Sequence, residues 1–233
     1  MFLAVWILYA ADRLLDARST DATNLEERHH FHDRHRRAFV ACIAIAAIAL
    51  ATLTSMLLPA ALRLYALLGA LLSGWFLLIH TRLAHERRLP KELAVGLFFA
   101  AAIFIPTVAR RPDLRLPLLA PAALFAAVCA LNCMVLYAWE HPGSRSNANW
   151  TTRVATHHLR RIAVGILGVA LLTFAAIALG HSPAPWPIPT ACAASVLLLL
   201  LLNRNRSKLS PLNLRAAADL ALLTPLLLAP FIR

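Results

Sequence analysis

Long apolar runs broken by short polar segments dominate the chain. The runs near 38–58, 61–80, 93–109, 117–139, 162–180, 186–202 and 212–231 are continuously apolar and rich in Ala and Leu. A helix rising about 1.5 Å per residue needs roughly 20 residues to cross about 30 Å of hydrocarbon, and these runs have that scale. They do not alternate apolar with polar positions as a membrane barrel strand does. The pattern therefore predicts an all-α, polytopic transmembrane bundle with seven full spans. Pro59, Pro90, Pro112, Pro142 and the SPAPWPIP run from Ser182 to Pro189 punctuate it, and such residues end helices. The N-terminus is different. Met1 to Ala11 is apolar, but Asp12 and Asp16 follow at once, leaving about 16 Å of helix before the first charge, too little to span. A signal peptide is not expected here, for want of a basic start and of a small-residue cleavage site. The expectation is a partial N-terminal helix whose upstream portion is absent, within a single integral membrane domain over 1–233.

Composition agrees with a bilayer as the solvent. Hydrophobic residues make up 60% and charged residues 15%, with a mean hydropathy of +0.67, well beyond a soluble domain. The net charge of +12 falls in short clusters between the apolar runs, which marks topology and anionic-lipid contact and argues against nucleic acid as a partner. Cys42, Cys129, Cys133 and Cys192 all lie inside apolar runs, so no disulfide framework is indicated. With 12–37 on one side, that side collects 18 Lys and Arg against 5 on the other, and the positive-inside rule makes it cytoplasmic. The expected location is a bacterial inner membrane, with loop 110–115 as the discordant segment.

The candidate chemistry gathers on that side. In YAADRLLDARSTD, Asp12 and Asp16 stand about one helical turn apart, so their carboxylates share a face. They are either hard ligands for a divalent cation or the point where a helix meets water. A basic stretch that includes Arg28 follows, with HHFHDRH at 29–35. In LPKEL, Lys91 and Glu92 come just after Pro90, where a helix N-terminus would let Lys91 meet a phosphate, or simply mark topology. In LNCMVLYAWEH, Asn132, Leu136 and Glu140 share one helical face. Asn132 reads as an interhelical hydrogen-bonding group or a ligand group inside the membrane, and Glu140 as a solvated terminus or a ligand. A histidine-box metal oxygenase, built on 29–35, HTRLAH at 80–85 and His157-His158, is a rival, but the spacing is uneven. A non-catalytic membrane protein is another, with Arg215 and Asp219 as an i,i+4 pair.

The apolar helix ending in ADRxxD, the KEL loop two segments later and the polar helix end at Glu140 together resemble the UbiA family of intramembrane prenyltransferases. That family carries N-D-x-x-D-x-x-x-D and D-x-x-x-D motifs that hold magnesium and a prenyl diphosphate. Asp12 and Asp16 match the last two aspartates of the first motif and Arg13 the residue after the first of them, while Leu8 and Tyr9 stand where the Asn-Asp pair belongs. Glu140, with Asn132, falls near the second motif. Seven full spans, one partial and one absent make nine. The resemblance implies Mg²⁺ on Asp12, Asp16 and Glu140. It implies diphosphate contacts from Arg13, Arg28, Lys91 and Asn132, and transfer of a prenyl group to an aromatic or lipid acceptor, the carboxylates neutralising the leaving group through the metal. A degenerate, non-catalytic relative is the alternative.

Overall fold

The computed structural model describes residues 35–80, 91–140 and 150–228, with scattered positions between 3 and 14. The regular structure there is helical: α1 (Arg36–Thr54), α2 (Pro59–His80), α3 (Lys91–Arg110), α4 (Leu119–Glu140), α5 (Trp150–His157), α6 (Leu159–Ala178), α7 (Pro187–Arg204), α8 (Pro211–Ala221) and α9 (Thr224–Leu228). Short 3₁₀ turns stand at Pro112–Leu114 and Arg206–Lys208, and no strand occurs among the described residues. Five helices, α1, α3, α4, α6 and α7, are long and apolar enough to cross a membrane. Large apolar side chains such as Ile45, Ile48, Leu67, Leu172 and Leu201 are exposed. In water that much exposed apolar surface is an aggregation liability, whereas in lipid it faces a solvent of its own polarity. The chain is an integral membrane protein.

Two units make up the chain, Met1–Leu62 and Arg63–Arg233. In the first, Ala10, Ala46 and Ala61 are the buried apolar positions among the described residues, and α1 presents Val40, Ile45, Ile48 and Leu53 outward. The second is organised around α4, which packs against α3, α6, α7 and α8. Over their spanning windows 56% of α4 is buried but only 11% of α6, so α4 is the central helix and α6 lies largely against lipid. The core joins Leu124, Val128, Leu131 and Val135 of α4 to Ala163 and Ala170 of α6 and to Cys192, Val196 and Leu199 of α7.

Lipid tails are as apolar as leucine, so helices in a bilayer associate through close packing and small residues. The α3–α4 contact follows that rule. Gly96 and Ala100 stand one turn apart on α3, as do Ala126 and Ala130 on α4. A Cβ built on Gly96 would lie 2.5 Å from the Ala126 carbonyl oxygen and 2.9 Å from the Ala130 nitrogen, so only glycine allows this approach. Beside it, the Phe125 ring packs on Phe99 and Phe104, each with centroids 6.3 Å apart.

Two prolines inside apolar runs have opposite outcomes. Pro106 lies within α3, where its missing N–H leaves the Ala102 carbonyl without the usual helical donor. The Tyr65 hydroxyl of α2 donates to that oxygen at 3.0 Å, and α3 runs on to Arg110. Pro225 instead ends a helix. The span expected over 212–231 is not one helix: α8 stops at Ala221, the residue whose carbonyl an uninterrupted helix would join to position 225. α9 then restarts at Thr224. The break is held by the buried Thr224 hydroxyl, which donates to the Ala191 carbonyl of α7 at 2.9 Å and lies 2.7 Å from Ser195 Oγ. Of the seven runs, five form helices that satisfy length and apolarity among the described residues, 61–80 falls on the 22-residue α2, and 212–231 is divided between α8 and α9.

Gly96→Val forces apart the α3–α4 contact and should destabilise the detergent-solubilised protein by about 1–3 kcal/mol, the usual cost of overpacking, seen as a lower unfolding midpoint. Tyr65→Phe should cost about 1 kcal/mol in the wild type, because it strands a carbonyl. In a Pro106→Ala background, where the restored N–H serves Ala102, that cost should largely vanish. An equal cost in both backgrounds would refute the pairing.

Candidate functional site

The antiparallel order of the helices brings the start of α3 and the ends of α4 and α7 to one end of the second unit. The last two residues of α4 are both tied there. Trp139 Nε1 donates to Asn203 Oδ1 near the end of α7 at 2.9 Å, and Glu140 forms an ion pair with Arg215 of α8. Each partner of the ion pair keeps about a third of its side chain exposed, 33% on both sides, so it sits at a boundary where charge remains partly hydrated.

Deeper along the same face of α4 is Asn132, only 4% exposed. Its Nδ2 donates to Asp219 Oδ1 of α8 at 3.3 Å. Its Oδ1 is the buried side-chain oxygen left without a hydrogen bond among the described residues. An unmade bond of that kind costs about 1–3 kcal/mol, so this oxygen is the point in the site that asks for a donor.

The face predicted for Asn132 and Glu140 is therefore used, and it points at α8. Arg215 and Asp219, expected as a pair within their own helix, each reach across to α4 instead. Asn203 is the residue of this network that the sequence reading did not name, and Arg215 and Asp219 are the two whose partners it placed within their own helix. Their signal was present: a polar residue near the end of α7 after its Leu run, and two opposite charges within the short α8. Lys91 is exposed at the first residue of α3, with Glu92 beside it. Asp12, Arg13, Asp16 and Arg28 lie outside the described residues, as do His29, His30, His32 and His85.

The described residues at this end do not by themselves supply a full ligand set for a magnesium ion. The Glu140 carboxylate is engaged by Arg215, and no group of three or more His, Cys, Asp or Glu able to hold a metal occurs among the described residues. One N–H of the Asn132 Nδ2 is given to Asp219, and the amide carries a second. At the opposite end, exposed Arg111 and Asp113 form a two-pronged pair, with Nη2 to Oδ2 at 2.8 Å. The guanidinium holds the Asp113 carboxyl below its ordinary range, and the acid offsets one arginine of the loop that opposes the positive-inside pattern.

A double-mutant cycle on Glu140→Gln and Arg215→Gln should return a coupling of about 1 kcal/mol or less, because a third-exposed pair is discounted by solvent screening, and it should shrink as salt rises. No coupling at any ionic strength would mean that α8 is held by Asn132 and packing alone. The chain matches no family model, no curated protein and no solved structure.

Proposed function

We propose that the chain is a UbiA-like protein of a bacterial inner membrane that receives a prenyl diphosphate at the cytoplasmic end of its bundle. The observation that supports this reading is the polar network of Glu140, Arg215, Asn132 and Asp219 at one end of an otherwise apolar bundle. Polar groups in that setting are costly and typically mark a binding path. The apolar helices suit the isoprenoid tail. Lys91, at the same end, suits the diphosphate, and in this reading the sequence adds Arg13 and Arg28 from its basic N-terminal stretch. Glu140 acts in this reading as a positioning group that holds Arg215 and α8, and the unpaired Asn132 oxygen accepts from a hydroxyl donor such as an acceptor molecule. Asp12 and Asp16 are the carboxylates through which Mg²⁺ would enter, and with the metal bound the activity would be prenyl transfer to an aromatic or lipid acceptor.

A non-catalytic relative is the second reading, favoured by the engagement of Glu140 with Arg215 and by the lack of a three-ligand group among the described residues. Titration of the solubilised full chain with a non-hydrolysable prenyl diphosphate analogue, with and without Mg²⁺, separates the two. The transferase reading expects Mg²⁺-dependent binding that Asp12→Asn/Asp16→Asn abolishes while helicity is unchanged, since Asn keeps the shape but loses the charge a hard cation needs. Binding equal in the variant and the wild type, or no binding by the wild type, overturns the transferase reading and supports the non-catalytic one.

A further inference from the structure

The junction of α5 and α6 carries a feature that the proposed function does not use. His157, His158, Arg160 and Arg161 line an open depression of about 330 Å³. The two imidazole rings meet edge to face, with centroids 4.6 Å apart, while the arginines are exposed on the first turn of α6. No acidic residue stands anywhere between Glu140 and Asp219 in the sequence. Among the described residues no carboxylate pairs with any of the four. Like charge concentrated in a concavity raises the local potential and draws an anion.

The placement says which anion. Ala155 and Leu159, on either side of the histidines, are buried in the core, so the junction is anchored to the bundle. From Arg161 onward α6 becomes apolar, with Val164, Val169 and Leu172 exposed toward lipid. The basic cluster therefore sits where the hydrocarbon ends, at the depth of lipid phosphates. Arginine forks match phosphate oxygens, and histidine adds N–H donors.

We infer that the depression formed by His157, His158, Arg160 and Arg161 binds a phosphate group at the membrane surface, carried by an anionic phospholipid headgroup or free in solution. The full chain in detergent is tested by native mass spectrometry with dioctanoyl phosphatidylglycerol, with dioctanoyl phosphatidylcholine and with inorganic phosphate as competitor. R160Q/R161Q should weaken phosphatidylglycerol binding by about 25-fold, at about 5-fold per arginine near a charged surface. R160K/R161K should restore much of it. R206Q/K208Q, which removes the same charge from another loop, should change it less than about 2-fold. Retention of phosphatidylglycerol unaffected by inorganic phosphate assigns the site to a lipid headgroup, and displacement by inorganic phosphate assigns it to the free anion. Equal losses in R160Q/R161Q and R206Q/K208Q, or equal retention of phosphatidylcholine and phosphatidylglycerol, would overturn the inference.

Discussion

Hydrocarbon offers no hydrogen bonds, so each polar group that the chain carries into it must find a partner inside the bundle. Most of the second unit can be read as a response to that demand. α4 is the helix with the most neighbours, and those neighbours supply partners for its polar groups: Asn203 of α7 for Trp139, Arg215 of α8 for Glu140, Asp219 of α8 for Asn132. α6 needs little of this. Apart from Thr173, whose hydroxyl donates to the Val169 carbonyl one turn back, its spanning segment is apolar, and it can lie against lipid.

The same demand explains why two prolines with identical chemistry have different consequences. Each removes a donor and leaves a carbonyl four residues earlier without its helical partner. At Pro106 a tyrosine hydroxyl from α2 supplies the missing bond, and the helix is kept. At Pro225 the helix ends, and a threonine hydroxyl at the restart bonds to α7 instead. The difference lies with the neighbouring helix, which no local propensity describes. Gly96 belongs to the same account from the packing side, because removing a side chain is what lets two backbones approach closely enough to compensate for the missing hydrophobic drive.

At the candidate site, the face shared by Asn132 and Glu140 was legible from their eight-residue spacing. Its partner was not. Arg215 and Asp219 are one turn apart, which makes an intrahelical pair the natural expectation from sequence. Both side chains are drawn across to α4, since a neighbouring helix brings a carboxylate and an amide that are otherwise costly to leave unpaired. That exchange adds a partner to a glutamate that reads in sequence as either a solvated terminus or a ligand: in the fold its carboxylate is ion-paired with Arg215.

By itself the sequence determined that the chain is helical and lives in a bilayer, where six of the seven long runs begin and end to within a few residues, and which face of α4 is polar. These follow from apolar length, from proline positions and from a 3.6-residue period, all of which are local properties. The tertiary structure decided that α4 is central, that α3 approaches it most closely at Gly96, that Pro106 is bridged while Pro225 is not, and that Glu140 is paired with Arg215. Each of these depends on which helix lies alongside. In lipid, the neighbouring helix is the main source of a hydrogen bond or a countercharge, so the consequence of a polar residue is settled only when the helices are assembled.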